Sequence, residues 1–595
     1  MKLDLILRDA DIITLEADRP RATSVGVLGG RIAGFDEELE GCTAEREVSL
    51  GGATVVPGFI DAHCHTTWWG LGLGAVELEQ ARGLEELYAL LEAEVRRLDA
   101  LPGGAPDSWV NGTGFNHKHH GGAFPDIRRL DEITGDRPLY LRHVSGHLSI
   151  TNSATLRLAG VFEPGFTDPT GGAVLRGADG YPTGVVEESA QQLIQNLLLP
   201  YPVERIVEAL DAATTRYAAE GITSFTEAGI GGGWIGHSPV EVQAYLTAKR
   251  SGKLHARAQL MPALDSLRPI EANAADMHGT GSGRGLDLGA VAGFGDEWVS
   301  LGPVKVFMDG SLLGATAAVT EDYCGHQHNT GYLLDSPEAY RERVDAAYRA
   351  GWPIALHAIG DAAIDLATEI IVGCQERYGR NHLPNRIEHF GIARPDQLAP
   401  VAAAGIAVAP QAAFIGPLGD QFAALVGPER EGWLYRGRSL VDAGILVAGS
   451  SDLPVADNNV LRAMQSWVDR RTEQGKILGG AAEGLTAEEA LRTYTDWAAR
   501  ATGTADQKGT LSRGKLADFA VLSGSPLDAP DISDLQVLAT IVGGEFSYDR
   551  LGAGTASDAA AAPRTRSAAG PESGRITSPA PESLFAPEPG AAVVR

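Results

Sequence analysis

At 595 residues, with 44% hydrophobic and 21% charged residues, the chain has the composition of a folded globular protein and is too long for one compact core; two to four domains are expected. A formal net charge of −28 repels phosphate backbones and anionic bilayers, which excludes nucleic acid and membranes as partners and leaves a small-molecule substrate, with a homodimer as the default assembly. The first twenty residues never form the apolar core of a signal peptide, no later stretch reaches the about 18 apolar residues of a membrane helix, and Cys42, Cys64, Cys324 and Cys374 are widely scattered. The expectation is a cytoplasmic protein without a disulfide framework or a thiolate zinc site.

The chain opens with short strand patterns at residues 3–7, 11–15, 24–28, 31–35 and 54–56, and a matching set returns at 519–522 and 537–542. Neither set can bury a core alone. The spacing predicts one β-sandwich built from both termini, residues 1–57 with 503–550. Between them, residues 58–502 alternate short apolar strands with longer amphipathic helices, the pattern of an α/β fold with a parallel sheet. Eight strand candidates occur, at 58–63, 222–227, 254–261, 304–308, 354–357, 386–390, 406–410 and 445–448. Helix patterns fit at 202–220, 238–252, 337–350, 361–378 and 395–404. Eight such units predict a (β/α)8 TIM barrel, in which catalytic side chains sit at the carboxyl ends of the strands. The gap from about 66 to about 200 exceeds any crossover and reads as an inserted α+β subdomain capping the barrel mouth, with a helix at 84–98 and a segment at 138–150. From residue 553 onward Ala, Pro, Gly and Ser dominate, and the composition predicts a disordered tail.

The sharpest local signal is VVPGFIDAHCHTT, in which His63 and His65 lie two apart at the end of the first apolar strand. Period-two geometry puts both imidazoles on one face, where they can share a cation such as zinc. Lys305, in VKVFMDGSL, lies on the fourth strand. A lysine buried there loses pKa to desolvation, and the neutral amine can add carbon dioxide to become a metal-bridging carbamate; pairing with Asp309 or a substrate carboxylate is the alternative. His357 ends the fifth strand, His389 the sixth, and Asp452 follows the eighth. Singly, each is more often a hydrogen-bonded structural residue or a helix cap. Together, at the ends of strands one, four, five, six and eight, they point to one metal centre holding one or two divalent ions, zinc first, with manganese or iron as substitutes.

The set PGFIDAHCH, VKVFMDGSL, HAIGDAAID, RIEHF, GSSDLPV and GTLSRGKLADFAVL resembles the amidohydrolase superfamily, and within it amidohydrolase family 3, over roughly residues 1–550. That family includes hydrolases of N-substituted formamides and related N-acyl compounds. The resemblance implies that His63 and His65 hold one metal, that His357 and His389 hold the other, that carbamylated Lys305 bridges them, and that Asp452 is base and ligand. Leu453, Phe390 with Gly391, and Gly314 with Ala315 stand where relatives often carry Trp, Gln and Arg, which points to a different pocket.

The chemistry expected is hydrolysis of an amide-type carbon–nitrogen bond by metal-activated water, with Asp452 moving the proton. His143 and His147, in LRHVSGHLS of the insert, are candidates for polarising the carbonyl, or else structural histidines of the cap. Trp68 and Trp69 line the pocket mouth or pack the cap. Glu187 and Glu188 are site candidates or exposed carboxylates of a first helical turn, and the Gly231–Trp234 run reads as a mobile loop near the site. Two rivals remain: a single-metal aminohydrolase, whose chemistry commonly uses a Glu where this chain has Gly360, and a binding protein on an inactive amidohydrolase fold.

Overall fold

Residues 1–100, 108–143, 148–169, 172–233 and 235–552 are described by the computed structural model. Four N-terminal strands form a sheet in the order Arg31–Phe35, Val25–Leu28, Lys2–Arg8, Thr43–Ser49. The hairpin at its edge turns on Gly29 and Gly30, both with positive φ, which side chains with a Cβ rarely adopt. A second sheet mixes the two ends of the chain, in the order Arg21–Ala22, Asp11–Ile13, Thr54–Pro57, Phe519–Leu522, Val537–Val542, Glu545–Asp549. Within it Phe519 pairs with Pro57 and Leu522 with Thr54, antiparallel.

The two sheets share a core that includes Leu5, Leu7, Val27, Val55, Phe519, Val521 and Ile541. The opposite face of the mixed sheet, carrying Val56, Ala520, Leu522 and Val537, packs into the main core. Covered on both sides, strand FAVL is apolar throughout rather than alternating.

The centre consists of two parallel sheets. One holds Phe59–Cys64, Ile222–Ile230, Arg257–Pro262 and Val299–Leu301; the other holds Val304–Phe307, Ile354–Ala358, Arg386–His389 and Ala407–Ala409. A parallel bridge between Ala263 and Lys305 links the two, and another joins Val408 to Val447. The 445–448 segment is therefore reduced from an expected strand to a single bridge. It gives its regular pairing away because the chain at once turns to the first strand, where Ala62 donates to Gly449 at 3.1 Å and Asp452 to His63 at 2.8 Å.

Helices Val203–Ala219, Glu241–Arg250, Pro337–Arg349, Asp361–Tyr378 and Pro395–Ala404 intervene. Their ends follow local chemistry: Ser336 caps the amide of Ala339 with Pro337 at the first position, and Gly405 closes the last helix in the left-handed conformation.

The insertion folds on a six-stranded sheet of its own, Gly172–Arg176, Pro182–Glu188, Leu148–Thr151, Leu139–His143, Val110–Phe115 and Val76–Glu77, covered by helices that include Leu84–Asp99 and Ile127–Thr134. Among the described residues no helix is long and apolar enough to cross a membrane. The region expected to be a disordered tail lies outside the described residues.

Ile541 is fully buried between the two sheets that join the termini. Ile541→Ala is expected to cost about 2–5 kcal/mol and to lower the unfolding midpoint in urea, because the cavity left by the deleted methylenes cannot collapse between two sheets.

Candidate metal centre

At the carboxyl ends of the parallel strands the six expected side chains are contiguous. His63 and Lys305 are fully buried, and His65, His389 and Asp452 are nearly so. His63 Nε2 lies 3.5 Å and His65 Nε2 3.3 Å from Asp452 Oδ1. Lys305 Nζ is 3.3 Å from His63 Nε2. The His389 ring stands 4.8 Å from that of His63 and 4.4 Å from that of His357, centroid to centroid. Among the described residues, His63, His389 and Asp452 form a set whose ligand atoms all lie within 4.8 Å of one another.

The surroundings keep these groups in ligating form. Burial pushes His63 and His389 well below the usual imidazole range, with Lys305 adding to it for His63 and His357 for His389; burial lowers His65 as well. Burial alone raises Asp452, but the hydrogen bond from His65 and the nearby His389 and Lys305 hold it below its ordinary value. Neutral imidazoles beside an ionised carboxylate are the donor set of a divalent cation. Buried Nδ1 atoms of His65 and His357 have no partner among the described residues. The residues present therefore fit such an ion.

A second layer fixes the rings. Glu388 Oε2 takes the Nδ1 proton of His63, and Arg386 holds both oxygens of that carboxylate, at 2.8 and 2.7 Å, while reaching the Ala62 carbonyl at 2.8 Å. His389 Nδ1 donates to Gln411 Oε1 at 2.9 Å, leaving Nε2 for the centre. Asp61 accepts from the Ser451 amide at 3.1 Å and hydroxyl at 2.5 Å, binding the first strand to the turn that carries Asp452. That burial lifts Asp61 to about 6 against those hydrogen bonds. Positive φ at His389, Phe390 and Asp452 ends the strands sharply; such backbone strain is concentrated at functional sites.

The sequence profile of the Amidohydrolase family matches residues 46–548. The chain belongs to the amidohydrolase family. It is a hydrolase of carbon–nitrogen bonds. It is 32% identical to Protein LONG AFTER FAR-RED 3 of Arabidopsis thaliana, over 92% of this chain and 91% of that one. It is 29% identical to N-substituted formamide deformylase of Arthrobacter pascens, over 92% and 99%. A solved structure described as an uncharacterised metal-dependent hydrolase from Pyrococcus horikoshii shares the fold with a TM-score of 0.70 at 22% identity, covering 89% of this chain and 99% of that one.

Within this amidohydrolase, Gly360 lies against backbone: a Cβ there would sit 1.9 Å from the Ala318 carbonyl oxygen. No glutamate fits the position a deaminase would use. Asp309, the alternative partner for Lys305, instead accepts the amides of Ala318, Ile359 and Gly360 at 2.8 to 3.3 Å and approaches His357 Nε2 at 3.3 Å.

His143 ends a strand of the insert, its Nε2 2.8 Å from His117 Nδ1, and His147 lies outside the described residues. Trp68 stands beside His65, whereas Trp69 stacks on Tyr217 and packs into the core. Glu187 belongs to a strand, paired with Leu148 and Ala173, rather than to a helical turn; the side chain of Glu188 lies outside the described residues. In the Gly231–Gly233 run, Gly231 donates to Glu241 at 3.1 Å, and a Cβ on Gly232 would meet the Ser266 amide at 2.9 Å, while Trp234 lies outside the described residues.

Asp61 and Glu388 stand inside the motifs PGFIDAHCH and RIEHF, whose pattern assigns them no role. Asp61 does carry a signal, sharing the face of His63 by alternation. Glu227 was missed altogether. Buried at the second strand, it accepts from Tyr245 at 2.6 Å, and desolvation lifts its carboxyl to about 8.

Glu388→Gln is expected to lower the affinity for added zinc about 10–100-fold, measured by competition with a chelator, because a neutral amide has one acceptor oxygen for His63 and Arg386 together and turns its NH2 toward the guanidinium donors. Native Glu227 keeps its proton up to about 8, whereas an unfolded glutamate loses it near 4.5. The folded state thus holds the extra proton between those values, and this group's contribution to stability declines as pH rises through that window. Glu227→Gln should therefore raise the melting temperature relative to the unsubstituted protein more at pH 8 than at pH 5; an equal shift at both would show the carboxyl to be ionised in the folded state.

Proposed function

We propose that this amidohydrolase is metal-dependent and cleaves an amide of the N-acyl or N-substituted formamide type. The observation that carries the reading is the buried set His63, His389 and Asp452, flanked by His65, Lys305 and His357, with three depressed imidazoles and an ionised carboxylate turned toward one point. We read the two parallel sheets, with their bridges at Lys305 and Val447, as a closed (β/α)8 barrel whose first and eighth segments meet at Asp452. The sandwich of residues 1–57 and 503–550 and the insert at about 66–200 are read as separate domains around it. Four cysteines, none in a disulfide, support the cytoplasm as compartment.

His63, His65, His357, His389 and Asp452 would hold one or two divalent ions, zinc before manganese or iron, which would supply Lewis acidity and lower the pKa of water from about 15.7 toward 7. Asp452, ionised and beside both histidines of the first strand, accepts the proton of the attacking water and hands it to the departing nitrogen. Burial brings Lys305 to about 8, offset in part by Glu388 and Asp452. At pH 7 about a tenth of such amines are neutral; the amine adds carbon dioxide, loses its proton and becomes a carbamate beside His63. Lys305 also lines a cavity of about 180 Å3 whose walls are mixed, apolar at Ile235, Leu264, Phe307 and Leu334 and charged at Asp265, Asp335 and Arg343.

The test is elemental analysis together with a panel of N-formyl, N-acetyl and cyclic amides. One to two divalent ions per chain are expected, with acid rather than ammonia released, and turnover abolished by His63→Ala or Asp452→Asn while the circular dichroism spectrum is kept. Full activity in chelator-treated, metal-free protein would falsify the reading.

A further inference from the structure

A second cavity lies at the amino ends of the same parallel strands, with a volume of about 480 Å3, within the range of small-molecule sites. Ser224 and Thr226 of the Ile222–Ile230 strand line it, with Arg257 and Gln259 of the Arg257–Pro262 strand and Lys508 from the chain returning to the sandwich. Strand alternation places each pair on one face.

The charges at its inner end do not cancel. Arg257 is fully matched: its Nε and Nη2 donate to Asp518 at 2.8 and 3.0 Å, and Asp518 also accepts the Gly543 amide at 2.8 Å. Lys508 has only a neutral partner among the described residues, donating to Ser224 Oγ at 2.7 Å. Its exposure is intermediate, yet desolvation, partly offset by Asp518, draws the ammonium to about 8, so it stays cationic at neutral pH. Three carboxylates also line the cavity. Glu297 pairs with Arg31 at 2.9 Å and approaches Arg257 at 3.8 Å, Asp296 pairs with Lys249, and Asp506 is exposed to solvent.

Two lining groups are buried and have no partner among the described residues, Thr226 Oγ1 and Gln259 Oε1, on residues 1% and 8% exposed. Gln259 Nε2 donates to the Thr502 carbonyl at 2.9 Å, which commits the amide's donor and leaves its oxygen to accept. A protein rarely buries a hydroxyl and an amide oxygen without something to satisfy them.

We infer that this cavity binds a small oxyanion that carries a hydroxyl, such as hydrogen phosphate or a hydroxycarboxylate. Lys508 neutralises the charged oxygens, the Thr226 hydroxyl donates to them, and Gln259 Oε1 accepts from the ligand's hydroxyl. A bare carboxylate satisfies only the first two. The site stands apart from the metal centre and is independent of the hydrolytic reading.

Isothermal calorimetry of the metal-loaded protein with inorganic phosphate, glycolate and acetate tests it. Phosphate or glycolate should saturate with a Kd on the order of 1 mM, and acetate should bind more weakly. Lys508→Met and the isosteric Thr226→Val should each weaken binding about tenfold or more while amide turnover is retained. If Lys508→Met fails to fold, Thr226→Val decides alone. Absence of saturable heat with the unsubstituted protein, or variants that bind as it does, overturns the inference, the latter by placing the anion at the metal centre or on the surface.

Discussion

A carboxylate with no access to water organises the centre of this protein. Glu388 is wholly buried, and such a charge is tolerated only when paired and fully hydrogen-bonded. Arg386, two residues earlier on the same strand face, grips both of its oxygens and reaches on to the first strand at Ala62, while the remaining capacity of Glu388 is spent on His63. One ion pair thus ties the sixth strand to the first and sets the direction of a ring that belongs to the reacting end. An apolar replacement of the pair would fill the space but leave His63 free to turn.

The same dryness governs the rest of the site. Desolvation keeps His63, His65 and His389 neutral and draws Lys305 to about 8, whereas Asp452 stays ionised because His65 and its neighbours compensate its burial. One environment therefore drives bases and acid in the directions that suit cation binding. The strained backbone at His389 and Asp452 is held in place by Gln411 and by the Asp61–Ser451 clasp, so the surrounding packing, not local preference, maintains the geometry.

The two ends of the parallel strands are used differently. At the carboxyl ends polar groups converge on one point and are oriented by partners behind them. At the amino ends Arg257 is neutralised by Asp518, a residue contributed by the C-terminal return of the chain, so the sheet that mixes both termini also stabilises charge beneath the central strands. Its strand Phe519–Leu522 is apolar on both faces, and neither terminus could form the sheet alone.

Much of this was legible in the residues. Strand periodicity located seven of the central strands, start and stop residues bounded the helices at 361–378 and 395–404, and strand-end histidines marked the candidate site. Such features depend on neighbours a few residues apart, and period 2 or 3.6 fixes which face a side chain takes. Periodicity does not say what that face meets. That Glu388 would turn to residue 63, Gln411 to residue 389 and Asp61 to residue 451, and that His143 would lie within hydrogen-bond distance of His117, are matters of partners. The segment at 445–448 shows the same limit, its apolar pattern being that of a strand while its pairing is decided by the turn to residue 62. The sequence by itself determined the elements and the donor types; only the tertiary structure decided which buried groups complete one another, because desolvation and long-range hydrogen bonds arise when distant strands are brought together.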